Sequence, residues 1–166
     1  IDISSSANQP MFSECKNFIL IFNGEIYNFN ELKNELDFNS KKKYPNNWKT
    51  NSDTEVLLKY YISCFSENIK TSYFLNKLNG IFSLAIFNKI TNELIIARDS
   101  HGVKPLYISR SNKGIAFSSE LKGLIPYYKF LHLINSKNKI EIDKIIDSNS
   151  INRYLHFLWS PGITTP

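Results

Sequence analysis

The chain has 166 residues, 42% hydrophobic and 14% aromatic, with 20 basic against 15 acidic side chains for a net charge of +5. That is one domain with a tail, with enough apolar material for a core, and no run approaching the ~20 apolar residues of a membrane helix, so a disordered or membrane-spanning chain is excluded. Charge is balanced before residue 100 and turns basic after it, and 17 of the 20 cations are Lys, a weak reader of bases, so no nucleic-acid partner is expected.

In chain order, residues 1–17 mix Ser, Asn, Pro and Lys and predict a loop, with Asn8-Gln9-Pro10 as a turn or extended element. The apolar run Phe18-Ile19-Leu20-Ile21-Phe22 predicts a buried strand that Asn23-Gly24 ends or bends. Asn28 and Glu31 have capping-box spacing, which predicts a helix over 29–36, and residues 39–49 form a polar loop with three consecutive lysines. Ser52 and Glu55 repeat that spacing ahead of Val56, Leu57, Tyr60, Tyr61 and Cys64, which fall on one helical face. Phe74, Leu75 and Leu78 predict a further helix closed by Asn79-Gly80.

After residue 80 the period shortens. Strands over 81–87 and 94–97 form one hairpin, and strands over 106–109 and 115–118 a second around Ser111-Asn112-Lys113-Gly114, followed by a short helix over 120–125. Beyond about residue 130, Asn135 to Asn138 is a polar linker, helical pieces follow around Ile142 to Ile146 and Ile151 to Leu155, and Trp159-Ser160-Pro161-Gly162 breaks them. The order of helices followed by hairpins argues an α+β fold.

The chemistry concentrates in Asn23-Gly24-Glu25. An amide, a flexible backbone N–H and a carboxylate at the end of a buried strand suit an oxyanion hole beside an amine-binding group; the same residues suit a tight turn with Glu25 solvated. Asp53 sits in the first turn of a helix, where its charge suits the dipole. Arg98-Asp99 reads either as an ion pair across a bend or as the start of a site loop that contains His101, and Ser118-Ser119-Glu120 reads as a helix cap. Cys64 falls on an apolar helix face and Cys15 has no nearby His to activate it, so neither is a convincing nucleophile. The two have no metal-ligand spacing and no disulfide framework, so no metal site is expected and the compartment is reducing and cytoplasmic.

Five segments occur in order: Phe22-Asn23-Gly24-Glu25-Ile26-Tyr27-Asn28, Ser52-Asp53-Thr54-Glu55-Val56, Leu78-Asn79-Gly80-Ile81-Phe82, Arg98-Asp99 through Lys104-Pro105-Leu106-Tyr107, and Ser118-Ser119-Glu120-Leu121-Lys122. Together they resemble the class II glutamine amidotransferase domain of glutamine-hydrolysing asparagine synthetases. The resemblance implies an N-terminal-nucleophile hydrolase fold, a four-layer αββα sandwich of two antiparallel sheets, over residues 1–130. It implies that residues 131–166 are a linker and the start of an ATP-binding synthetase domain. L-Glutamine is then the substrate, and a cysteine thiolate forms a glutamyl thioester and releases ammonia. The synthetase domain of the same polypeptide is the partner that uses it, with ATP and Mg2+ acting there and no cofactor in this segment; a homodimer of the full-length protein and the absence of any membrane partner also follow.

Carried over by position, Asn23 and Gly24 match the oxyanion-hole pair, Glu25 and Asp53 the groups around the substrate α-amino group, and Ile1 a residue that meets the substrate through its backbone. The family's N-terminal cysteine and its carboxylate-gripping arginine have no counterpart, nor has the Ser-Gly-Gly-x-Asp-Ser loop of the synthetase domain. The chain opens on Ile1 and its one Met is Met11, so an N-terminally truncated, inactive segment of an active enzyme is expected. Two alternatives share these residues: an amidotransferase for another carboxylate such as a sugar acid, and a non-catalytic relative serving as a binding module.

Overall fold

The apolar run at 18–22 forms the first half of strand β2 (Phe18–Ile26), which reaches past the Asn-Gly pair instead of ending there. The computed structural model describes residues 2, 4–40, 47–134, 149, 152, 155 and 156. Along β2 the burial alternates: Phe18, Leu20, Phe22 and Ile26 are buried, whereas Ile21, Asn23 and Glu25 are exposed, the period of two expected of a strand with one covered face. β2 pairs antiparallel on one side with β1 (Met11–Phe12) and on the other with β3 (Gly80–Asn88), which pairs in turn with β4 (Glu93–Arg98). The β2–β3 register runs unbroken from Phe18 opposite Asn88 to Ile26 opposite Gly80.

Helices cover the buried face. α1 (Phe29–Ser40) packs on α2 (Asp53–Ser66), and α2 packs on β2 and on α3 (Thr71–Lys77). The core holds Leu20, Ile26, Leu32, Leu57, Phe74 and Ile86, all essentially inaccessible, with Phe74 edge-on to Tyr61 and Phe18 edge-on to Tyr61 and Phe65. A second antiparallel sheet is the hairpin of β5 (Tyr107–Ser111) and β6 (Gly114–Ser118), with Ser111 opposite Gly114 as the turn residues predict. The architecture is thus α+β with two antiparallel sheets and flanking helices.

Several expectations shift. α1 is longer than predicted, and Asn28 does not cap it: its amide donates to the Lys77 carbonyl (2.9 Å) and its Oδ1 accepts from the Asn79 N–H (3.0 Å), tying the end of α3 to the start of α1. Gly80 is not a helix cap, because α3 ends at Leu78 in an extended conformation and Gly80 opens β3. β1 and a 3-10 turn at Ser5–Ala7 replace part of the predicted N-terminal loop. The short helix expected over 120–125 is a 3-10 turn, Leu121–Leu124, followed in the chain by the unpredicted helix α4 (Ile125–Ile134), whose Pro126 lies in the first turn where a missing N–H is tolerated.

The chain folds as two compact units, Ile1–Leu124 and Ile125–Pro166. The Lys41 to Lys43 run, the linker at 135–138 and the Trp159 to Gly162 break lie outside the described residues, as does most of the tail read as helical. Among the described residues no helix is long and apolar enough to cross a membrane.

Candidate functional site

The last four residues of β2 assemble most of the sequence-predicted site. Asn23 and Glu25 share the outward face, two residues or about 6.6 Å apart along the strand. The Asn23 amide Nδ2 donates to Ser119 Oγ at 3.0 Å, tying the segment after β6 to this end of β2. No hydrogen bond or ion pair engages the Glu25 carboxylate among the described residues. Gly24 between them has φ +154°, and a Cβ there would meet the Ile81 carbonyl oxygen at 2.1 Å and Phe82 Cα at 2.6 Å. Any side chain would drive β3 off β2, so glycine is required by the strand packing itself.

The backbone N–H groups of Phe22, Gly24 and Ile26 point to the β2 edge away from β3, since strand N–H directions alternate. Phe22 N–H donates to Gln9 Oε1 at 2.6 Å, and Ile26 N–H donates to Asp53 Oδ2 at 3.0 Å. Asp53 therefore joins the β2 residues through Ile26. Its other oxygen, Oδ1, has only a long contact of 3.5 Å from the Thr54 hydroxyl. The predicted Ile1 lies outside the described residues.

α2 begins where the sequence placed it, with a different bonding scheme. Ser52 Oγ accepts from the Thr54 N–H (3.0 Å), so the N-cap holds. Glu55 does not reach back to the Ser52 N–H as a capping box would. Its buried carboxylate accepts from the Lys49 and Thr50 N–H groups and from the Thr50 hydroxyl (2.7–3.1 Å), and pairs with Lys59 at 3.0 Å. Burial pushes the Glu55 acid up, but these donors outweigh it and hold it below the ordinary glutamate value.

Arg98 and Asp99 do not pair with each other. The Asp99 carboxylate, 7% exposed, accepts from the N–H groups of Phe82, His101, Val103 and Lys104 (3.0–3.3 Å). Burial would raise its pKa; the four donors win and lower it. Arg98 donates to the Lys104 and Gly102 carbonyls from the other side of the loop, and Gly102, at φ +63°, leaves no room for a Cβ against the guanidinium. Both charged side chains fold the backbone of residues 99–104. His101 is exposed, with Nδ1 at 3.2 Å from Ser100 Oγ.

Neither cysteine belongs to this cluster. Cys64 is buried in the core, and burial raises its thiol pKa. Cys15 is exposed in the turn between β1 and β2, where the Ser13 hydroxyl 3.3 Å from its sulfur lowers its thiol pKa. It lines a cleft of about 540 Å³ with Met11, Leu58, Lys49 and Lys59, away from Asn23, Gly24, Glu25 and Asp53. Sequence reasoning missed two polar residues of the cluster. Ser119 was read only as a cap, although Ser118 fills that role by accepting from the Glu120 N–H (3.2 Å). Gln9 carried no signal of its own in the sequence, because its part is to accept a neighbouring strand's N–H.

An α+β fold of two antiparallel sheets with flanking helices suits a glutamine amidotransferase domain, and the chain belongs to that family, whose description matches residues 1–161. Among individual proteins it is 38% identical over 165 residues to a glutamine-hydrolysing asparagine synthetase of Bacillus subtilis, covering 99% of this chain and 22% of that protein. It is 36% identical over 140 residues to the glutamine-hydrolysing asparagine synthetase of Sandersonia aurantiaca, covering 80% of this chain and 24% of that protein. The solved glutamine phosphoribosylpyrophosphate amidotransferase of B. subtilis, in complex with ADP and GMP, superposes with a TM-score of 0.58 at 25% identity, over 74% of this chain and 26% of that one. The chain thus spans about a quarter of the length of the relatives it matches.

Proposed function

We propose that the chain is the glutamine-hydrolysing part of a glutamine-dependent asparagine synthetase, supplying ammonia for ATP-dependent amidation of aspartate. The relatives support the reaction, and one structural observation carries the site: the Asn23 amide and the Gly24 N–H sit on consecutive residues beside the Glu25 and Asp53 carboxylates. A thiolate attacks the side-chain amide carbon of glutamine, and the electron pair of the C=O bond moves to oxygen. Asn23 Nδ2 and Gly24 N–H donate to that oxyanion; one N–H of the Asn23 amide is held by Ser119, leaving the second for substrate. Collapse breaks the C–N bond, the nitrogen leaves as ammonia with an added proton, and water cleaves the thioester to glutamate. The Glu25 carboxylate and Asp53 Oδ1 hold the α-ammonium, with the Ile1 backbone as a further contact.

The 166 residues contain no Ser-Gly-Gly-x-Asp-Ser loop, so the ATP and Mg2+ step is assigned to no residue of this chain. In the whole protein, Asn23→Ala should lower glutamine-dependent asparagine formation by 10²- to 10³-fold, about 3 kcal/mol of barrier, and leave formation from added ammonia unchanged. Equal loss of both activities would refute the assignment.

A further inference from the structure

The edge of β2 that carries the Gly24 N–H is closed on both sides of it. β1 pairs Met11 with Leu20 and Phe12 with Ile19, so the next positions of that ladder put Pro10 beside Ile21 and Gln9 beside Phe22. Ser13 N–H donates to the Phe18 carbonyl, so the odd-numbered residues of this segment face β2 and Pro10 turns its backbone away from it; the backbone pairing ends at Met11. Beyond it the Gln9 side chain takes over, its Oε1 accepting the Phe22 N–H that a longer strand would have bonded. Two residues on, the Asp53 carboxylate accepts the Ile26 N–H. Phe82, opposite Gly24 on β3, turns both of its own backbone groups to Asp99: its carbonyl accepts from the Asp99 N–H (2.8 Å) and its N–H donates to Asp99 Oδ2 (3.2 Å). Among the described residues nothing accepts from Gly24.

From these contacts we infer that Gln9 is a positioning residue: it stops β1 pairing short of Gly24 and, with Asp53, leaves the Gly24 N–H as the one open donor of the edge. The functional meaning of this rests on the oxyanion reading above; the geometry does not. If β1 ran four residues further along β2, a neighbouring carbonyl would saturate Gly24 and no oxyanion could reach it. If the edge carried no acceptors, the Phe22 and Ile26 N–H groups, each about 6.6 Å from that of Gly24, would stand unpaired beside it and draw in water or another strand. A short side-chain clamp satisfies the neighbours and keeps the middle donor open.

Amide hydrogen exchange on the 15N-labelled chain tests this. Phe22 and Ile26 should exchange at least tenfold more slowly than Gly24. Gln9→Ala should accelerate Phe22 by tenfold or more while Leu20 and Ile86 stay protected, and Gln9→Glu, which keeps an acceptor at the same reach, should restore the slow rate. Gly24 as protected as its neighbours, or Phe22 indifferent to Gln9→Ala, would overturn the inference; should the alanine variant fail to fold, the unsubstituted and Gln9→Glu chains still decide it through the contrast between Gly24 and Phe22. Titration with L-glutamine separates the two claims. A shift of the Gly24 N–H that weakens in Gln9→Ala supports both, whereas no shift at Gly24 or Asn23 Nδ2 in the unsubstituted chain refutes the oxyanion reading and leaves the exchange pattern to decide the clamp.

Discussion

Asp99 shows how much one side chain settles when its partners are backbone amides. Four N–H groups converge on a carboxylate whose pKa burial alone would raise, and they outweigh that effect, so its folded pKa lies below its unfolded value. A depressed acid contributes stability that is complete above the unfolded pKa, near pH 4, and is lost as pH falls through the folded value. Asp99→Asn has one acceptor oxygen in place of two and turns an NH2 toward the donors. We expect a lower melting temperature for Asp99→Asn at pH 7 and a gap that narrows toward pH 3, measured by circular dichroism; a gap that does not change with pH would contradict the charge argument. The sequence left Arg98-Asp99 open between an ion pair and a site loop, and the structure overturns the ion pair. Backbone amides look alike in every residue, so no spacing rule could have revealed that both side chains turn on the loop rather than on each other. Asn23, Gly24 and Glu25 stood out in the sequence as a polar run at the end of an apolar strand, and Asp53 only through the resemblance; Gln9 and Ser119 did not, because they act by holding neighbours.

At the scale of elements, strands and helices with strong period were readable, and very short ones were not. β1 has two residues, too few for any periodicity, and exists because β2 offers it an edge. The start of α2 was located by Ser52, yet the spacing to Glu55 misidentified the bond, since a first-turn carboxylate has several amides within reach. Glu55 binds the approach segment, not the cap: it holds residues 49 and 50 against the helix and keeps Lys59 paired, both largely buried. Glu55→Ala strips two backbone N–H groups and a hydroxyl of their acceptor and leaves a cation without its partner. We expect a loss of roughly 3 kcal/mol in urea unfolding at pH 7. A loss under about 0.5 kcal/mol would mean that water replaces the carboxylate at no cost and that the segment is not anchored there.

For the whole molecule, the placement of sulfur decides what these 166 residues can do with glutamine. A nucleophile must approach the amide carbon while its oxygen rests on Asn23 and Gly24. Cys64 lies in the core behind the sheet, its thiol pKa raised by burial, and has no path to the outward face that carries Asn23. Cys15 has the better chemistry, exposed and with a lowered thiol pKa, but it precedes Phe18, and six strand residues at ~3.3 Å each separate Phe18 from Gly24 by about 20 Å. No side chain spans that distance. On the proposed assignment the site has no thiolate within its reach among the described residues, and the 166-residue chain should release no glutamate from glutamine above the uncatalysed background. Iodoacetamide should label Cys15 in the folded chain and reach Cys64 only on unfolding, which shows independently that the sulfur nearest solvent is competent as a nucleophile but wrongly placed. Glutamate release that disappears in Cys15→Ser would move the active centre to the cleft at the other end of β2 and remove Asn23 and Gly24 from the reaction.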